Sequence, residues 1–80
     1  MQIFIRGAAI GSQKTIILDV ESEASIGEIK DMISIKIGLS KCDFGLVFGG
    51  FILTNDSSSL SENRIGMECT ICVFTRSYGD

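Results

Sequence analysis

Four isoleucines between Ser25 and Gly38 recur at the spacing of a single helix face. At about 100° per residue, their side chains fall within roughly 80° of one another around a helix. The four are Ile26, Ile29, Ile33 and Ile37. A stripe of this size is too apolar for water and too small to form a core alone. The segment therefore predicts one amphipathic helix that packs on an apolar surface supplied by the rest of the chain.

Both ends of this helix are marked in the sequence. Ser25 is followed three residues later by Glu28, which is the capping-box pattern of a helix N-terminus. Gly38 follows the last isoleucine and suits the left-handed position just beyond a helix. We therefore expect a helix over about residues 25–37.

Alternating apolar and polar residues predict a hairpin before the helix. Residues 2–6 place Ile3 and Ile5 on one face, and residues 15–21 do the same with Ile16, Leu18 and Val20. The segment 7–13 is the connecting loop. After the helix, we expect short strands at 46–48 and 51–53, a loop over 54–63 and a last strand at 70–76.

The last strand is apolar on both faces. Ile71 and Val73 lie on one side, and Cys72 and Phe74 lie on the other. A strand of this kind lies either between two covering layers or beside an exposed binding patch. Because only one helix is predicted, the sequence favours a patch.

Composition limits the domain organisation and the environment. The chain has 80 residues, 45% of them hydrophobic, which suits a single domain over 1–80, with 77–80 as a flexible tail. It has no apolar run near the ~20 residues of a membrane span and no signal-peptide pattern, so we expect no membrane association. A net charge of −3 argues against nucleic acid as a partner. Three cysteines, an odd number, fit reduced thiols in the cytoplasm or nucleus.

The residue types argue against catalysis and against a bound metal. There is no histidine, which excludes Ser-His-Asp and Cys-His machinery and the commonest metal ligand. Cys69 and Cys72 form a CxxC motif, but residues three apart on a strand point to opposite faces. We therefore expect no enzyme activity, no metal site and no cofactor.

One lysine lies close to the helix stripe. Lys30 is about 55° from the centre of the stripe and should be partly buried. Because an unpaired buried ammonium group is costly, we expect an acidic partner, with Asp56 and Asp43 as the candidates. The alternative is a side chain that reaches solvent without a fixed partner.

Ordered segments along the whole chain resemble the ubiquitin family. They are MQIF at the start, KTIILDV in the second strand, the helix isoleucines, LVFGG in the third strand and TICVFTRSYGD at the end. The resemblance implies an α+β, β-grasp (ubiquitin-like) fold with a mixed four- to five-stranded sheet and one main helix across one face.

The resemblance also implies an interaction surface on the open face of the sheet. Carried over by position, it has Val47 at its centre, with the other members Phe74, Gly49, Cys72 and Ile10. The alternative is that Phe74 simply packs on Val47 and no partner exists.

Phe4 and Ile17 point outward on neighbouring strands. They form either a second small patch or a cross-strand pair that stabilises the hairpin, and the pair is the stronger interpretation.

The C-terminal residues bear on the function that the resemblance implies. Family members that modify other proteins are joined to them through a Gly-Gly end. Here Arg76 and Gly79 match that tail, whereas Tyr78 and Asp80 do not. The expectation is a monomeric, non-catalytic module recognised by ubiquitin-binding proteins or by the proteasome and ubiquitin machinery. The alternative is a divergent modifier, or the N-terminal part of a fusion to a ribosomal or proteasome-shuttle protein.

Overall fold

The computed structural model describes residues 1–11 and 13–76. Its elements, in chain order, are five strands and one α-helix: β1 (Gln2–Arg6), β2 (Ile16–Asp19), α1 (Ile26–Ile37), β3 (Phe44–Phe48), β4 (Phe51–Ile52) and β5 (Thr70–Thr75). Short 3₁₀ turns lie at Ala8–Ile10, Lys41–Asp43 and Ser61–Asn63. The strand order across the sheet is β2-β1-β5-β3-β4.

The sheet is mixed. β1 pairs antiparallel with β2 and parallel with β5, and β3 pairs antiparallel with β5 and β4. A five-stranded mixed sheet crossed by one helix is the α+β, β-grasp fold that the resemblance implies, and that prediction is confirmed.

The helix begins and ends as its sequence predicts. The Ser25 hydroxyl accepts a hydrogen bond from the Glu28 backbone N–H, and the Glu28 carboxylate accepts one from the Ser25 N–H. Gly38 is left-handed, with φ 74°. The N–H groups of Ile26 and Gly27 donate to carbonyls of the loop that follows β4. The exposed donors of the first turn are therefore satisfied by the cap and by that loop.

The helix stripe lies on the inner face of the sheet. Ile26, Ile29 and Ile33 are fully buried, and Ile37 at the helix end is half-buried. The stripe belongs to one core cluster with inward residues of the strands, which are Ile3, Ile5, Leu18, Phe44, Leu46, Ile71 and Val73. Four residues outside the strands complete the cluster, which are Val20, Leu53, Leu60 and Ile65. This core places the helix on one side, and no helix from the described residues covers the other side of the sheet.

Four strands differ from the sequence prediction. β2 is shorter than 15–21, β4 ends at Ile52, and β5 ends at Thr75. β3 begins two residues earlier than expected, at Phe44. Phe44 is fully buried, and the sequence pattern did not identify it as core. Pairing with β5 extends β3, because Phe44 and Gly45 lie opposite Thr75 and Phe74.

A two-residue turn joins β3 to β4. Phe48 pairs with Phe51, and both intervening glycines have positive φ, 60° at Gly49 and 85° at Gly50. A type I′ hairpin turn requires positive φ at both central residues, which glycine adopts without a steric penalty. The glycine pair therefore fixes the register of the last strand pair at this edge of the sheet.

Candidate functional site

The helix-free face of the sheet carries a row of neighbouring apolar side chains. Cys72 on β5 pairs with Val47 on β3, and Val47 pairs in turn with Ile52 on β4. Directly paired residues project from the same face of a sheet, so these three side chains lie side by side. Arg6 on β1 pairs with Cys72 and ends the row with a positive charge.

Phe74 lies on the same face, two residues from Cys72 along β5. It is half-buried, and its ring lies over Gly45, the residue with which it pairs. A Cβ atom built on Gly45 would lie 2.8 Å from Cε2 of the ring. The glycine therefore makes room for the ring, and Phe74 is outside the helix-side core. We refer to Val47, Ile52, Cys72 and Phe74 as the sheet patch.

Exposure within the sheet patch is uneven. Ile52 is 55% exposed and Cys72 is exposed, whereas Val47 and Phe74 are half-buried. Beyond the β3–β4 turn, Phe51 is 76% exposed. The sequence interpretation did not include Ile52, because its place beside Val47 depends on the register across the turn.

Two other predicted members of the surface lie at its margins. Gly49 is exposed in the β3–β4 turn, directly after the strand that carries Val47. Ile10 is half-buried in the first loop and lines a cavity with Ile16 and Ile37. Those two residues belong to the helix side of the structure, so the described contacts associate Ile10 with that side. Its membership of the interaction surface stays a prediction.

Phe4 and Ile17 lie directly opposite each other on β1 and β2. Phe4 is half-buried and Ile17 is 55% exposed. The structure therefore brings the two side chains together on the helix-free face, in the arrangement of a cross-strand pair. Thr70 separates this pair from Cys72 along the sheet, because it pairs with Phe4.

The two cysteines of the CxxC motif lie in different environments. Cys72 is exposed on the sheet patch, whereas Cys69 is partly buried, packs against the core and accepts a hydrogen bond from the Gly66 N–H. Within residues 1–11 and 13–76, no group of three His, Cys, Asp or Glu side chains is arranged to hold a metal ion.

Lys30 has the acidic partner that its position predicts. The side chain is 8% exposed, and its ammonium group donates to Asp56 Oδ1 at 2.7 Å. Asp56 was one of the two candidates. The pair joins α1 to the loop after β4, at the helix end opposite the first loop.

Of the tail residues singled out from the sequence, only Arg76 is among the described residues, and its backbone N–H donates to the carbonyl of Asp43. Gly79, with the rest of 77–80, lies outside them. No helix in the described part of the chain has the length and apolar character needed to cross a bilayer.

A model of the ubiquitin family matches residues 3–78. Among curated proteins, no significant match is found. The matched range includes α1 and, apart from Gln2, every strand of the sheet. Proteins of this family are generally not enzymes and act in ubiquitin-pathway interactions. The match and the β-grasp architecture agree, and the chain belongs to the ubiquitin family.

Proposed function

We propose that the chain is a non-catalytic protein-interaction module recognised through the sheet patch. The supporting observation is the continuous row of Cys72, Val47 and Ile52 across three strands, on the face opposite the helix. A contiguous patch of exposed apolar side chains typically marks an interaction site, whereas isolated exposed apolar side chains are common on protein surfaces. Phe74 extends the row along β5, and Gly49 borders it.

The area that a partner can still cover sets the expected affinity. Full burial of a Val, Ile or Phe side chain contributes about 1.5–3 kcal/mol. Val47 and Phe74 are already half-buried, so most of the gain must come from Ile52 and Cys72. After the entropic cost of association, this surface supports binding of about micromolar strength.

The partner should offer an apolar side chain to the centre of the row and an acidic or polar group to its end. Arg6 lies at that end, beside Cys72, and is exposed. A carboxylate of the partner would be attracted to the Arg6 guanidinium, although the net charge of the whole chain is negative. Purified ubiquitin-binding domains are the appropriate first probes.

The test is a titration of the isotope-labelled chain with a panel of such domains, followed by NMR. We expect saturable binding by at least one domain and the largest shift changes at Val47, Ile52 and Cys72. Val47→Asp places a charge at the centre of the row and should weaken that binding about ten-fold or more.

The matched control is Ile35→Asp. Ile35 is 83% exposed on the helix, away from the sheet patch. The substitution therefore adds the same negative charge without changing the proposed surface. Binding should stay within about two-fold of the unchanged chain. Equal weakening by both variants, or none by Val47→Asp in a chain that remains folded, would rule out the sheet patch.

A further inference from the structure

A second candidate site lies on the helix side of the sheet, where the first loop meets the end of the helix. A cavity of about 410 Å³ is lined there by Ala9, Ile10, Lys14, Thr15, Ile16, Lys36 and Ile37. Sites that take small molecules or parts of peptides have volumes of about 300–1,000 Å³. The cavity is distinct from the sheet patch, which lies on the opposite face.

The lining divides into an apolar floor and a cationic rim. The four apolar residues are half-buried and pack against the core, so the floor continues the core outward. Lys14 and Lys36 are exposed and come from different elements, the first loop and the last turn of α1. The aliphatic part of Lys14 lies over Gly11, at 3.2 Å from where a Cβ atom would be.

These two lysines differ from the other described ammonium groups. The N-terminus pairs with Asp19, Lys30 with Asp56 and Lys41 with Asp31. Among residues 1–11 and 13–76, neither Lys14 nor Lys36 takes part in an ion pair. Of the residues that the structure describes, no acidic one lines the cavity. In a chain with net charge −3, this is a local concentration of uncompensated positive charge.

The helix end does not cancel this charge. A helix C-terminus carries about half a negative charge, whereas two ammonium groups supply two positive ones. An anion at the rim therefore still experiences a net attraction. The cavity is also accessible from the sheet edge, because β2, which carries Ile16, is an edge strand.

We propose that this cavity binds a short acidic peptide segment, with an apolar side chain on the floor and a carboxylate toward each lysine. Charge complementarity identifies the occupant. Two ammonium groups on separate elements match two separated carboxylates, which a peptide carries and a simple fatty acid does not.

The test uses the full chain and an acetylated six-residue peptide with two leucines at its centre and two acidic residues on each side. Methyl NMR should show saturable shift changes at Ile16 and Ile37. The dissociation constant should rise several-fold between low and high salt, because exposed charges are screened. A peptide with amide side chains in place of the carboxylates should bind at least about ten-fold more weakly.

Two double variants separate this site from general electrostatic attraction. Lys14→Glu with Lys36→Glu should weaken binding about ten-fold or more, because attraction becomes repulsion at the rim. Lys41→Glu with Arg64→Glu changes the net charge equally, but neither residue lines the cavity. That control should stay within about two-fold.

Three outcomes would overturn the proposal. The first is that the two double variants weaken binding equally, and the second is that the shift changes fall on the sheet patch instead of the cavity. The third is that octanoate binds as tightly as the peptide, which would make the cavity a fatty-acid site. All substituted side chains are solvent-accessible, and circular dichroism would show that each variant keeps its fold. Loss of peptide binding at the cavity would leave the proposal for the sheet patch untouched, because the two sites share no residue.

Discussion

At the scale of single residues, the ion pair of Lys30 is unequal in burial. The lysine side chain is 8% exposed and the Asp56 side chain is 50% exposed. Removing the acid leaves a buried ammonium group without its partner, whereas removing the lysine leaves an aspartate that water can solvate. The two partners should therefore differ in what their loss costs.

We expect Asp56→Asn to destabilise the fold by about 2 kcal/mol or more and Lys30→Met by less, about 0–1 kcal/mol. Methionine keeps the apolar stem of lysine and removes the buried charge. Urea unfolding of the two variants measures the difference. The reverse order of stabilities would contradict this account of the pair.

A second prediction at this scale concerns Gly45 and the ring of Phe74. Gly45→Ala should cost about 1–3 kcal/mol, because the new methyl group forces the ring to move. In a Phe74→Ala background, the same change should be neutral or stabilising. A double-mutant cycle by urea unfolding gives the coupling between the two positions.

Gly66→Ala is the matched control for this cycle, since an added Cβ there meets no atom within 4 Å. Its effect should stay within about 0.5 kcal/mol. Additive effects at Gly45 and Phe74 would mean that the ring does not occupy the space over the glycine.

At the scale of elements, Asp31 on α1 links the helix to the 3₁₀ turn that follows it. Its carboxylate accepts a hydrogen bond from Lys41 at 3.0 Å, and this bond raises the pKa of Lys41 above its ordinary value of 10.5. Because the folded-state pKa is the higher one, the stabilising effect is complete below pH 10.5. It disappears as the pH rises through the folded-state pKa.

Asp31→Asn should therefore lower the pKa of Lys41 toward 10.5. An NMR titration of the lysine Cε signal between pH 8 and 12 measures this, and Glu21→Gln, which removes an acid outside this contact, is the control. A Lys41 pKa that does not fall in the Asp31 variant would show that the carboxylate is not its cause.

The helix could be predicted closely from sequence, because its signals are local. The cap at Ser25, the isoleucine spacing and Gly38 all lie within the element. The start of β3 could not, because Phe44 and Gly45 become part of a strand only through pairing with β5. Ile52 was missed for the same reason, since its neighbours are set by register between strands.

At the scale of the whole molecule, the resemblance to a known family predicted the fold. The pattern of residues, without that resemblance, predicted only half of the sheet patch. The double-sided apolar pattern of β5 indicated Cys72 and Phe74. The cavity between the first loop and α1 left no recognisable pattern, because its lining comes from segments at least twenty residues apart.

The proposal of a module that is not joined to target proteins is tested at this scale. A Gly-Gly tail offers two residues without side chains, whereas this sequence has Tyr78 and Asp80 on either side of Gly79. We expect mass spectrometry of lysates containing the tagged chain to find no branched peptides with a remnant of its tail on target lysines. Such peptides would support the modifier function instead.

The exposed thiol of Cys72 has a consequence for how the chain behaves in air. Oxidation would couple two copies through this sulfur, which lies beside Val47 on the helix-free face. The covalent pair would bring the two sheets face to face and hide the row of apolar side chains in both. Purification without a reductant would therefore yield disulfide-linked dimers that are folded but cannot bind a partner through the sheet patch.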